Sequence, residues 1–175
     1  MKSLKHIDFY YVDDDLLYLS YFRKQFQFNI SHSLFTFSSG EAFLNKFARD
    51  NINRSYKIII LDYVLSSVDK KARTGLELVP VIKDIDPEAE VIILSGYENM
   101  DVKATSSTFH PAGFIKKNDH TFIKLYSTIN LIVSKYKYKR KKSEGKKSVI
   151  VFLCIIGIFV LSILMLRIFW PHLLY

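Results

Sequence analysis

The chain reads as an α/β protein, a doubly wound five-stranded parallel sheet, followed by a single C-terminal transmembrane helix. Three observations predict this. Within residues 1–134, five short β-branched or aromatic runs are each followed by a helical pattern, and such alternation builds a parallel sheet with helices on both faces. Asp13, Asp14, Asp62, Ser95 and Lys117 each stand just past one of those runs, where ligand sites of such sheets form. Val149 to Leu166 carries no charge over 18 residues; at about 1.5 Å per residue, and extended through Trp170, it reaches the roughly 30 Å of a hydrocarbon core.

The elements follow in order. Ile7 to Val12 is a first strand of large apolar side chains, and Leu16 to Gln27 has helical spacing at Leu16, Leu19, Phe22 and Phe26. Ser33 to Phe37 is a second strand, after which Ser38 or Ser39 can cap a helix with apolar positions Ala42, Phe43, Phe47 and Ala48. Lys57 to Leu61 is the third strand. Gly75 to Lys83 is a short helix through Leu76, Val79 and Val81, with Pro80 expected in its first turn or at a kink. Glu90 to Leu94 is the fourth strand, Asp101 to Thr108 a weak helix, Gly113 to Ile115 a short fifth strand and His120 to Tyr138 the last helix.

Charge divides the chain. Residues 1–134 hold 16 Lys/Arg against 16 Asp/Glu, residues 135–147 hold 8 against 1, and residues 148–175 hold only Arg167. The basic excess therefore forms a linker beside an apolar helix, which favours anionic lipid headgroups over nucleic acid as its partner. The predicted organisation is a domain at 1–134, a basic juxtamembrane linker at 135–147, a spanning helix at 148–170 and a short external tail at 171–175. The bias of Lys and Arg to the N-terminal side of the helix places that domain in the cytoplasm, at the inner membrane, with one pass. No secretory leader opens the chain, and the lone Cys154 permits no internal disulfide. Gly157 and Ser162 are small, but without a GxxxG pair the question of a homodimer stays open.

Three carboxylates held together repel one another unless a cation sits among them or their pKa values rise. Oxygen donors without His or Cys select Mg²⁺ or Mn²⁺. Asp62 is then a nucleophile kept charged near phosphorus, Lys117 a point charge for a phosphoryl oxygen, and Ser95 a hydroxyl donor to another.

The motifs YVDDD at 11–15, IILDYVL at 59–65, VIILSGYE at 91–98 and AGFIKKND at 112–119 together resemble the flavodoxin-like receiver domain of bacterial response regulators. The resemblance covers about residues 5–134. It implies that Asp62 accepts a phosphoryl group from a phosphohistidine on a sensor histidine kinase or phosphotransfer protein. It further implies that Asp13, Asp14, Asp62 and the backbone carbonyl of Val64 hold the divalent ion, that Lys117 is the family lysine, and that Ser95 and Phe114 are the switch pair. A Ser66 where the family carries Pro, an Asn118 after the lysine and a longer loop before Leu76 depart from the pattern without removing a charge from the site. Output is expected through protein contacts rather than a DNA-binding domain. The alternative is a membrane-tethered scaffold in which phosphorylation is incidental. A phosphatase using an Asp nucleophile would want a second Asp where Val64 stands.

Overall fold

The computed structural model describes residues 6–50, 55–65, 74–96 and 111–169, except the side chains of 143–151, 160, 164 and 166–169. The expected helix at Asp101 to Thr108 lies outside the described residues. Two compact units divide the chain, Met1–Ile132 and Val133–Tyr175.

In the first unit, β1 (Ile7–Val12), β2 (His32–Phe37), β3 (Tyr56–Asp62), β4 (Glu90–Ser95) and β5 (Gly113–Lys116) form one sheet in the order β2-β1-β3-β4-β5. Every pairing is parallel. The chain order reverses between β1 and β3, which sets the carboxyl ends of those two strands side by side. All residues of β1 and β3 are buried, whereas β2 is half-buried along its whole length. A strand covered on both faces has no polar side to show, so its sequence is continuously apolar; an edge strand keeps one flank open.

Helices α1 (Leu16–Gln25), α2 (Gly40–Asp50) and α3 (Gly75–Ile85) are capped by side chains. Asp15 accepts from the N–H groups of Leu17 and Tyr18 at 2.9 and 3.1 Å, Ser39 accepts from Ala42 at 3.2 Å, and Thr74 accepts from Glu77 at 3.4 Å. On one face of the sheet, Tyr10, Val12, Ile59, Leu61, Val91 and Ile93 pack with Phe43 and Phe47 of α2 and with Leu78, Val79 and Ile82 of α3. On the other, Tyr11 stacks on Phe22 with centroids 3.8 Å apart, and Phe9 meets Phe26 edge-on at 4.9 Å. Helix α4 (Thr121–Phe169) closes this face through buried Leu125 and Ile129. Its Tyr126 hydroxyl donates to the Gln25 carbonyl at 2.7 Å and accepts from the Gln27 N–H at 2.9 Å, which ties α1 to α4.

The amino ends of the strands hold a separate buried polar network. The Tyr10 hydroxyl donates to Asp50 at 3.0 Å, Asp50 also pairs with Lys46 at 2.9 Å, and buried Lys57 pairs with Asp86 at 2.8 Å. A lysine inside a strand is tolerated because its ammonium reaches that carboxylate.

Several local expectations are corrected. Leu16 is 68% exposed and so not part of the α1 core stripe, because the first turn of the helix lies past the end of the sheet. Ala42 and Ala48 are exposed, and the i, i+4 pair Phe43 and Phe47 supplies the large apolar side chains of the buried stripe of α2. Pro80 lies in the second turn of α3, not the first, so the helix forgoes one backbone bond there. The last helix does not end at Tyr138 but runs on through the basic segment 135–147, Gly145 included. Lys and Arg are good helix formers, and one glycine costs only about 1 kcal/mol. Among the described residues no helix is long and apolar enough to cross a membrane. The expected span at 148–170 falls in part on side chains outside the described residues.

Candidate functional site

Strand register brings the predicted residues together. Val12 is the partner of Leu61 and Asp62 the partner of Leu94, so Asp13 and Asp62 emerge at neighbouring strand ends. Ser95 pairs with Lys116, which places Lys117 at the same edge. Backbone bonds lace these ends: Asp13 N–H to Phe37 at 3.0 Å, Tyr63 N–H to Leu94 at 2.7 Å and Lys117 N–H to Ser95 at 2.6 Å. Asp62 and Ser95 are the last residues of their strands rather than the first of the loops, because the pairing runs one residue further than the apolar pattern.

Asp13, Asp14 and Asp62 each offer a carboxylate oxygen within 4.8 Å of the others. Around Mg²⁺ at 2.0–2.1 Å opposed ligands lie about 4.2 Å apart and adjacent ones about 3 Å, so the three oxygens must draw closer together to hold one ion. The all-oxygen donor set fits that group. The Lys117 ammonium lies 2.7 Å from Asp13 Oδ2 and 2.9 Å from Asp62 Oδ1. One cation thus spans the nearest two carboxylates.

Asp13 is fully buried and its carboxylate accepts from three donors. Oδ1 accepts from the Asp15 N–H at 3.0 Å, and Oδ2 accepts from both Lys117 and the Tyr11 hydroxyl. Tyr18 places its ring 4.6 Å from the Lys117 ammonium and shares a hydrogen bond with Thr121. Ser95 is buried at the same edge, Val64 is 38% exposed beyond Asp62, and Phe114 is 39% exposed on β5 opposite Ile93. Phe114 therefore stands outside the core, unlike most strand aromatics.

Burial pushes the Asp62 carboxyl up to about 6; the Lys117 ammonium opposes the rise and Asp13 adds to it. For Lys117, burial alone would lower the ammonium, but Asp13 and Asp62 together outweigh it and hold it above its ordinary value. The Tyr11 hydroxyl is raised by burial and then by Asp13, so it stays protonated as a donor.

The Asp62 shift has a definite sign for stability. Between about pH 4 and 6 the unfolded chain has released the Asp62 proton while the metal-free fold still keeps it. Stability is therefore lost as pH rises through that window. We expect Asp62→Asn to be more stable than the unsubstituted metal-free protein by on the order of 2 kcal/mol above pH 6, and equal to it below pH 4. Urea unfolding with chelator across pH 4–7 reads this; a gap that does not widen with pH contradicts it.

Tyr11 and Tyr18 were not legible as site residues from the motifs. Tyr11 carried a signal nonetheless: it stands two residues before Asp13, the spacing that puts side chains of an extended chain on one side.

No family model matches the chain, and no curated protein matches it. Solved structures do. A CheY-like response regulator receiver domain protein from Methanospirillum hungatei is 19% identical, with a TM-score of 0.58 over 78% of this chain and 99% of that one. The N-terminal domain of a response regulator/sensory box/GGDEF protein from Carboxydothermus hydrogenoformans is 15% identical, with a TM-score of 0.58 over 75% of this chain and 98% of that one. A response regulator from Burkholderia pseudomallei, solved with a phosphorylated aspartic acid, calcium ion and citrate, is 14% identical, with a TM-score of 0.52 over 75% of this chain and 72% of that one. The five-stranded parallel fold is that of response regulator receiver domains.

Proposed function

We propose that the chain is a phosphoacceptor receiver that takes a phosphoryl group on Asp62 from the phosphohistidine of a sensor histidine kinase or phosphotransfer protein. The observation that carries this reading is the convergence of Asp13, Asp14 and Asp62 within 4.8 Å beneath a lysine bonded to two of them. In the reaction an Asp62 oxygen forms a bond to phosphorus as the bond from phosphorus to the donor imidazole nitrogen breaks. Mg²⁺ or Mn²⁺, held by Asp13, Asp14, Asp62 and the Val64 carbonyl, would offset the repulsion between the anions that must meet. Lys117 turns from the carboxylates to a transferred oxygen, and the Ser95 hydroxyl donates to another. The added charge then draws Ser95 inward and lets Phe114 change position. The test is acid-labile phosphate on the full-length protein after incubation with Mg²⁺ and acetyl phosphate. Absence of incorporation under all ion conditions would favour a docking scaffold.

The reading includes a membrane anchor with the receiver facing the cytoplasm at the inner membrane. The uncharged run Val149–Leu166 supports it, as do the nine large apolar side chains exposed between Phe152 and Met165. Cationic residues such as Lys137, Lys139 and Lys141 precede the run and suit anionic headgroups. A helix buried in lipid resists alkaline carbonate, which strips peripheral proteins. The full-length protein is expected to stay with the membrane pellet after carbonate washing; recovery in the supernatant would refute the anchor.

A further inference from the structure

We infer that Tyr11 is a positioning residue for Asp13, fixing this carboxylate for a divalent cation; the inference rests on the phosphoacceptor reading. Asp13 has no exposed surface and is held by donors from three parts of the fold: the Asp15 N–H, the Lys117 ammonium and the Tyr11 hydroxyl. These three do not behave alike when a cation enters. The Lys117 ammonium carries like charge and is repelled, and in the transfer step it is needed on a phosphoryl oxygen. The Tyr11 hydroxyl is neutral and can keep its bond to Oδ2 while Asp13 ligates.

The geometry is that of a built support. Asp13 follows β1 directly and stands two residues after Tyr11, so the phenol lies along the strand to meet the carboxylate. Its ring is stacked on Phe22 at 3.8 Å and 17°, and is completely buried. Displacing the phenol oxygen from Asp13 would require repacking of that stack. Outer donors of this kind orient ligands, and their loss typically costs roughly 10- to 100-fold in metal affinity.

A satisfied core tyrosine with no bearing on the ion would show the same hydrogen bond, so the test must separate the two. Full-length protein in detergent is titrated with Mg²⁺ by calorimetry, comparing unsubstituted protein with Tyr11→Phe, which keeps the stacked ring, and Asp13→Asn. Thermal unfolding without ion reports the fold separately. Tyr11→Phe is expected to weaken Mg²⁺ binding roughly tenfold and to raise by a similar factor the Mg²⁺ concentration for half-maximal phosphorylation. A purely structural tyrosine would lower the melting temperature and leave the affinity of the folded protein unchanged, which would overturn the assignment. Should Tyr11→Phe fail to fold, ¹³C-tyrosine NMR of the unsubstituted protein decides: the Tyr11 ring signal must shift in step with Mg²⁺ occupancy, and a signal indifferent to the ion overturns the inference. No Mg²⁺ binding by the unsubstituted protein would instead sink the phosphoacceptor reading, and this one with it.

Discussion

Asp62→Asn is expected to abolish the acid-labile phosphate formed from acetyl phosphate and Mg²⁺, a loss of roughly 10⁴-fold or more, as when enzymes lose a nucleophile. An amide oxygen lacks the charge needed to attack phosphorus, and it offers a poorer ligand to the ion. The fold should survive. Asp62 is buried and its carboxyl is pushed up to about 6, so the site resists ionisation of this group without a metal. Removing the charge relieves that cost. Lys117 keeps Asp13 as a partner at 2.7 Å. Loss of phosphorylation together with unchanged or raised stability is thus the combined signature. Mass spectrometry before and after mild acid, alongside urea unfolding, measures both. Undiminished phosphate on the variant would move the acceptor elsewhere and remove the central chemical assignment.

The second large effect is expected at a residue with no polar side chain. A Cβ placed on Gly75 would lie 2.1 Å from the carbonyl oxygen of Asp62 and 3.1 Å from its carbonyl carbon. Both are backbone atoms of a strand buried on both faces, so no side-chain rotation relieves the clash. The Gly75 N–H also donates to the Tyr63 carbonyl at 2.9 Å, which ties the start of α3 to the residue after Asp62. Gly75→Ala must push the start of α3 away from β3 or shift Asp62 itself. A cost of about 3 kcal/mol is expected for overpacking at so rigid a contact. Phosphorylation should fall as well, because an aspartate displaced by 1 Å leaves the reach of the ion and of Lys117. Gly96→Ala, where an added Cβ meets nothing within 4 Å, is the stability control and should unfold close to the unsubstituted protein. Equal unfolding midpoints for the two variants would show that α3 yields more easily than this packing implies.

The sheet and most of its site were legible because parallel β/α order converts sequence position into spatial position. An acid or lysine just past a strand has one edge of the sheet to occupy, and Asp13, Asp14, Asp62, Ser95 and Lys117 all occupy it. Strand ends were less legible: Asp62 and Ser95 read as loop residues, yet β-pairing continues through both, since hydrogen bonding along a ladder is indifferent to the polarity of the terminal side chain. Leu16 illustrates a different limit. Its spacing matches the buried stripe of α1, but periodicity does not report where the sheet ends. Gly75 was invisible for a third reason, since a glycine needed for close approach looks like any other glycine until its neighbour is known. The last helix was read as ending at Tyr138, yet intrinsic propensity suffices to keep the charge run beyond it helical.

Adjacent tyrosines on β1 also bear on how the chain avoids folding wrongly. Tyr10 reaches Asp50 on one side of the sheet and Tyr11 reaches Asp13 on the other. A slip of one residue during assembly would exchange the two sides and strand the Tyr10 phenol in hydrocarbon away from Asp50, whereas Tyr11 and Asp13, on one segment, would turn over together. Oily strands seldom carry such a proofreading mark, and here a carboxylate at the end of α2 helps to reject the misaligned sheet.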